Sequence, residues 1–289
     1  MAKKILISVV IVDFFKAERI VSNVERILAQ QGDFNTEVII IDNSMDSGNQ
    51  QILSQCKQSD NVTLFFNKQN NGYTRGCNQG ADLCRGDYLL FVNPDIEWTS
   101  VNILADILAI YKRDPRVGIV GTRQMNDDGS TPDTVRRFPN LAAQVLRRSS
   151  FRHLPLLKGI AEYYEYGEFD YFKPANVDWL QSSFMAISRH LWDKIGGFDC
   201  RYFIFMADPD ICYKCWEQGY KVHYESEIVV GADGLRCSAG GFKDVFSNRV
   251  LRFHIRDAFI YHFQYLLKPN IPTARKSQNQ RSSSVNYEQ

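Results

Sequence analysis

Three aspartates stand where apolar runs end. Residues 5–12 are almost wholly apolar and stop at Asp13, residues 37–41 stop at Asp42-Asn43-Ser44, and residues 87–92 stop at Asn93-Pro94-Asp95. Apolar, β-branched runs of this length read as buried strands, and the run that ends at Asn93-Pro94-Asp95 leaves nowhere to bury a carboxylate. Asp95 is therefore a candidate for a divalent cation, which Mg2+ enzymes hold through one or two carboxylates plus substrate phosphates. An ordinary Asx-Pro turn explains the same three residues. Farther on, Asp208-Pro209-Asp210 opens a helical pattern. A carboxylate there could be the general base that takes a proton from an attacking hydroxyl, or Asp208 could be an N-cap with Pro209 at the first helical position. The third feature is Asn70-Asn71-Gly72-Tyr73-Thr74-Arg75-Gly76-Cys77-Asn78-Gln79-Gly80. Its glycines permit tight backbone and its helix start can face an anion. It lacks the Lys-Ser/Thr of a P-loop and the dinucleotide spacing, so a plain connecting turn stays open.

Elements must hold these residues in place. Residues 16–30 put Ile20, Val24, Ile27 and Leu28 on one helical face, and further helical patterns cover 50–57, 76–85 and 101–113, with strands at 62–66 and 117–121. Strands alternating with helices predict an α/β protein with a mostly parallel sheet flanked by helices on both faces. Ligands sit at the carboxyl ends of such strands, which again selects Asp13, Asp42 and Asp95. The second half is less regular: a strand over 177–188, a helix over 208–218, a strand over 221–230 and a long aromatic helix over 248–267. From residue 269 the chain is Ser, Asn, Gln and Arg with little apolar content, which predicts disorder over 269–289.

The chain has 289 residues, 34 basic and 33 acidic, for a net charge of +1, which argues against a general electrostatic nucleic-acid binder. Seven cysteines are an odd number, the basic start Met1-Ala2-Lys3-Lys4 leads into a strand without a small-residue cleavage site, and no apolar run suits a membrane span. These observations predict a cytoplasmic protein with free thiols. Cys212 and Cys215 have C-x-x-C spacing, but no second pair or histidine cluster completes a zinc site.

In their order the motifs resemble the family 2 glycosyltransferases, and more narrowly the bacterial rhamnosyltransferase branch. The resemblance runs over about residues 5–265. It is carried by Val9-Val10-Ile11-Val12-Asp13, Ile40-Ile41-Asp42-Asn43-Ser44, the 70–80 loop and Leu90-Phe91-Val92-Asn93-Pro94-Asp95. Later come Arg136-Arg137-Phe138-Pro139, Val177-Asp178-Trp179, Gly196-Gly197-Phe198-Asp199 and Asp208-Pro209-Asp210-Ile211-Cys212. The resemblance implies a GT-A fold, Rossmann-like, with a C-terminal helical appendage. Its domain spans 1–268: a nucleotide-sugar half (1–122), an acceptor half (123–247) and an amphipathic helix (248–268). It implies inverting transfer of a sugar, with L-rhamnose from dTDP-rhamnose as the specific expectation, in surface-polysaccharide assembly. Asp13, Asp42, Asn70, Gly72, Asn78, Asn93 and Asp95 would serve the nucleotide-sugar, Asp95 with Mg2+ or Mn2+. Asp208 would be the base; Asp178, Trp179 and Asp210 would meet the acceptor; Arg136, Arg137, Arg252 and His254 are diphosphate candidates. The implied partners are a dTDP- or UDP-linked donor, a lipid-linked glycan acceptor, the inner face of the plasma membrane and, as an option, a second copy in a homodimer. The chain departs from the pattern at Ala207, where the family has Glu, and at Gly231-Ala232-Asp233, where many members have a histidine.

Residues 134–161 contain no acid, while Arg136, Arg137, Arg147, Arg148, Arg152 and Lys158 interleave with Leu141, Val145, Leu146, Phe151, Leu154, Leu156 and Leu157. Residues 250–267 repeat the theme with Phe253, Phe259 and Phe263 beside Arg252 and Arg256. Both suit an anionic membrane surface, or helices packed on the domain. Two other functions fit parts of the sequence. A nucleotidyltransferase shares strand-end carboxylates, although its usual basic, glycine-rich loop after the first strand is replaced by Asp13-Phe14-Phe15-Lys16. A binding protein without turnover fits Ala207 and the missing histidine.

Overall fold

The computed structural model describes residues 4–139, 169–233 and 249–265. Expectations that fall elsewhere, namely the basic-apolar stretch over 140–158 and the 269–289 tail, lie outside the described residues.

The first half alternates as its periodicity predicts. The elements are β1 (Ile5–Asp13), α1 (Ala17–Leu28), β2 (Phe34–Asp42), α2 (Ser47–Leu53) with a 3-10 turn (Ser54–Gln58), β3 (Val62–Phe66), α3 (Tyr73–Leu83) and β4 (Tyr88–Val92). A short β5 (Ile96–Trp98), α4 (Ile103–Arg113) and β6 (Val117–Asn126) follow. The second half supplies β7 (Val135–Arg136), β8 (Ala175–Asn176), β9 (Trp179–Leu180), β10 (Phe184–Ser188), α5 (Arg189–Ile195), α6 (Ala207–Glu217), β11 (Lys221–Ala232) and α7 (Arg249–Tyr265). Among the described residues the main sheet has nine strands in the order β3-β2-β1-β4-β10-β6-β11-β5, with β8 also paired to β11. β1, β2, β3 and β4 pair in parallel, as do β6 and β11, while β10 runs antiparallel to both β4 and β6. β5 and β8 are antiparallel to β11. Most strands therefore point one way, and the two halves of the chain share one sheet.

One apolar cluster lies between the sheet and α1 and α4, with Val9, Ile11, Ile20, Val24, Ile27, Ile40 and Ile107 all buried. Each such aliphatic side chain contributes about 1.5–3 kcal/mol when fully buried. The opposite face packs α3, α5 and α6 through Val10, Phe91, Trp192, Phe198, Ile211 and Trp216. Cys212 and Cys215 are buried in that second cluster. The predicted strand over 177–188 is split. Trp179–Leu180 pairs with β7 in a separate ribbon, Phe184–Ser188 enters the main sheet, and residues 181–183 form the break. The break has a cause outside its own sequence: the Gln181 N–H donates to the Thr134 carbonyl and the Ser182 carbonyl accepts from Tyr73.

Candidate active site

Parallel pairing aligns Asp13 with Asp42 in register at the carboxyl ends of β1 and β2. Both are fully buried. Asn49, on α2, joins them: its amide nitrogen donates to Asp13, to Asp42 (3.4 Å) and to the Ser44 hydroxyl (3.2 Å). Its oxygen accepts from the Ala17 N–H at 3.3 Å. Burial, and then the charge of Asp42, raise the Asp13 pKa against hydrogen bonds from Asn49 and Lys16. The chain leaves both strands through left-handed, non-glycine residues, Phe15 at φ 60° and Met45 at φ 57°. Backbone held in that region costs of order 1–3 kcal/mol and concentrates at functional sites. Phe14 and Phe15 stand exposed there with rings 4.8 Å apart.

The 70–80 segment owes its glycines mainly to packing. α3 starts at Tyr73, three residues earlier than its periodicity predicts, after Gly72 at φ 82°. A Cβ on Gly72 would lie 2.7 Å from the Phe203 carbonyl oxygen, and one on Gly80 would lie 2.4 Å from Val10 on β1. Asn70 accepts the Gly72 N–H in an Asx turn (2.9 Å). Asn78 clamps Phe198, donating to its carbonyl (2.8 Å) and accepting its N–H (3.0 Å).

Asn93 and Asp95 follow β4 at the same edge, the Asn93 N–H donating to the Ser183 carbonyl (2.8 Å). Asp233 follows β11, which runs parallel to β6, and binds Arg19 at 2.9 Å. Burial, then the neighbouring Asp233 charge, push the Asp95 pKa up, opposed by Arg19 and Lys16. Among the described residues no group of three or more His, Cys, Asp or Glu side chains is assembled for a metal. With Asp95 as a carboxylate ligand, substrate phosphate oxygens and waters would complete the shell of a cation there, the usual Mg2+ arrangement. Asp233, its charge close enough to oppose ionisation of Asp95, is a further carboxylate beside it.

Asp208 lies in the first turn of α6 but does not cap it. The helix starts at Ala207 after Met206, whose φ is 63°, and no side chain caps it. The capping alternative is therefore corrected: the Asp208 carboxylate turns away from its own helix and accepts from the Ser182 hydroxyl. Burial raises its pKa to about 6, with the Ser182 hydrogen bonds holding it down. Ala207 is completely buried among apolar neighbours. Asp210 points toward α7, where Tyr265 (2.6 Å) and Gln264 (3.2 Å) donate to it, and Lys214, one turn along its own helix α6, pairs with it at 2.8 Å.

The other candidates are more dispersed. Asp178 is buried and accepts the Phe138 N–H (3.3 Å), and the Trp179 indole donates to the Arg137 carbonyl (2.6 Å). Arg136 is 4% exposed, donates to the Asp133 carbonyl and lies 6.0 Å from the Trp179 ring. These residues brace the β7–β9 ribbon. On α7, His254 packs against Phe205 at 4.4 Å and Arg252 is exposed. The sequence offered no signal for Asn49 or Ser182, since each acquires a site position only through pairing between distant elements.

The model of the family described as Glycosyl transferase family 2 matches residues 8–209, from β1 into the first turn of α6. The chain belongs to that family. Among curated relatives it is 26% identical over 196 residues to the N-acetylglucosaminyl-diphospho-decaprenol L-rhamnosyltransferase of Mycobacterium tuberculosis, covering 63% of this chain and 62% of the relative. It is 26% identical over 177 residues to the rhamnosyltransferase WbbL of Escherichia coli, covering 61% of each. This family 2 chain thus spans under two thirds of those relatives' lengths. In fold it is similar to GalNAc-T7, solved with UDP, GalNAc and Mn2+ (TM-score 0.59, 17% identity, 85% of this chain and 48% of that one). It is also similar to a mannosyltransferase of Pyrobaculum calidifontis solved with GDP-Man and Mn2+ (TM-score 0.56, 14% identity, 99% and 82%). The fold is GT-A, as the resemblance implies.

Proposed function

We propose that this chain is an inverting glycosyltransferase that moves a sugar from a nucleoside-diphosphate donor to a hydroxyl of a lipid-linked glycan. L-rhamnose from a dTDP-linked donor is the specific reading, with UDP-linked donors as the alternative arm of the test. The observation that carries the proposal is Asp208: a carboxylate raised to about 6, held by Ser182 at the sheet edge where β4 ends. Such a group is ionised at neutral pH yet basic enough to take a proton. The acceptor oxygen forms its bond to the anomeric carbon as the bond to the diphosphate oxygen breaks. The hydroxyl proton passes to Asp208, the leaving diphosphate keeps the bonding electrons, and attack from the opposite face inverts the centre. Asp13 and Asp42, locked by Asn49, form the floor on which the nucleoside would rest. Mg2+ or Mn2+, held by Asp95 with help from Asp233, would stabilise the charge of the leaving diphosphate.

The relatives' names support the specifics. One is named for rhamnosyl transfer to a diphospho-decaprenol-linked sugar, and such an acceptor would place this chain at the inner membrane face. The test is a thermal-shift screen of dTDP-rhamnose and UDP-sugars with and without Mn2+, followed by transfer to a diphospho-lipid-linked N-acetylglucosamine. The expected result is a metal-dependent shift with dTDP-rhamnose that Asp95→Asn abolishes, and product of inverted configuration. A shift that is the same without Mn2+, or unchanged in Asp95→Asn, would remove the metal assignment; absence of transfer from every donor would remove the activity.

A further inference from the structure

We propose that Asp257, on the C-terminal helix α7, is the positioning residue that sets the segment presenting Asp208; this rests on the reading of Asp208 as base. The Asp257 side chain is completely buried. One of its carboxylate oxygens accepts three successive backbone N–H groups, from Phe203 (3.0 Å), Ile204 (3.2 Å) and Phe205 (3.0 Å). The other side of the same segment is held by α3. The Tyr73 N–H donates to the Phe203 carbonyl at 2.8 Å, and the Thr74 hydroxyl donates to the Tyr202 carbonyl. The Phe203 ring stacks on Phe253 of α7 at 4.2 Å and 16°. One residue beyond this grip the chain turns through Met206 in the left-handed region and enters α6, whose second residue is Asp208.

A buried carboxylate costs several kcal/mol unless it is well paired. Here it pairs with the donors of a segment that belongs to no strand or helix. Charge-assisted bonds are roughly twice as strong as neutral ones, and three converging on one oxygen fix the backbone of residues 203–205. With that stretch fixed, the left-handed turn at Met206 has one exit direction, toward Ser182. Asp257 touches no reacting atom in this scheme; it acts through the placement of Asp208.

The experiment uses the full chain, with dTDP release from dTDP-rhamnose as activity and calorimetric dTDP binding as a control. Asp257→Ala is expected to lower kcat about 10²-fold, the usual consequence of misplacing a catalytic group by about 1 Å, with dTDP affinity unchanged. Asp257→Asn, whose amide oxygen can still accept the three N–H groups, should recover most of kcat. In the Asp208→Asn background Asp257→Ala should cause no further loss, because residues acting as a unit are non-additive. Should the alanine variant not fold, Asp257→Glu keeps the charge while displacing the acceptor, and should still lower kcat. Full kcat in the folded Ala or Glu variant, a parallel loss of dTDP affinity, or a loss that multiplies in the Asp208→Asn background would each overturn the proposal. Full activity of Asp208→Asn alone would instead overturn the base assignment on which it rests.

Discussion

A free aspartate gives up its proton near pH 3.9 and is a poor base at neutrality. At Ala207 the chain has no acid beside Asp208 to raise its pKa by like-charge repulsion. The structure provides the tuning differently: burial alone lifts Asp208 to about 6, and Ala207 keeps the surrounding shell apolar. Two consequences differ in sign. Activity needs the ionised form, so kcat should fall tenfold per unit as pH drops below about 6. Stability runs the other way. The folded pKa is raised, so the favourable contribution is present below the unfolded pKa and lost as pH rises through about 6. Asp208→Asn carries no charge at any pH and its amide oxygen can still accept from Ser182. It should therefore lower kcat by about 10²–10⁴-fold while melting higher than the parent at pH 8, by on the order of 1–3 kcal/mol. That stability difference should vanish toward pH 4. Melting curves at the two pH values check the point, and a lower Tm for Asp208→Asn at pH 8 would contradict it.

At the scale of elements, the contact of α3 with β1 decides where the 70–80 loop can run. Gly80→Ala improves helix propensity by about 1 kcal/mol. The added Cβ, however, would meet Val10 at 2.4 Å, and a β-branched valine in a strand cannot swing aside. Overpacking of about 1–3 kcal/mol outweighs the propensity gain, so the variant should melt below the parent, as differential scanning calorimetry would show; an unchanged or raised Tm would refute it. The elements themselves were largely legible. The strands over 5–12, 37–41 and 62–66 and the α1 stripe follow from local periodicity, because each buries one face or one run against its nearest neighbours. The strand expected over 177–188 is interrupted at the polar triplet Gln181-Ser182-Ser183, a stretch that could also sit within a strand, and the break is fixed by Thr134 and Tyr73. Strand-end aspartates announce themselves by breaking apolar runs. Asn49 and Asp257 do not, since a polar residue on a helix looks solvated until the distant backbone that it binds is known.

At the scale of the molecule, no helix among the described residues is long and apolar enough to cross a membrane. α7 nevertheless turns Phe259 (71% exposed) and Phe263 (84% exposed) outward along with Arg252 and Arg256. Basic residues near an anionic surface contribute about 1 kcal/mol each, and phenylalanines add apolar contact. The protein should co-sediment with phosphatidylglycerol vesicles more than with phosphatidylcholine ones, and Phe259→Ser with Phe263→Ser should release it. Equal sedimentation with both lipids, or binding unaffected by the double substitution, would dissociate α7 from any membrane role. A different consequence comes from β10. It occupies the slot between β4 and β6, so residues 184–188 join strands that end at Val92 and begin at Val117. On the ribosome, β4 must wait with one edge unpaired while about ninety more residues are made, at roughly 5–20 residues per second. Closing so long a loop is slow, and an open strand edge invites pairing with other chains. Synthesis truncated before residue 184 would leave the first sheet segment complete in its own packing yet prone to aggregate, so the late arrival of β10 is the step at which a nascent chain most needs a chaperone.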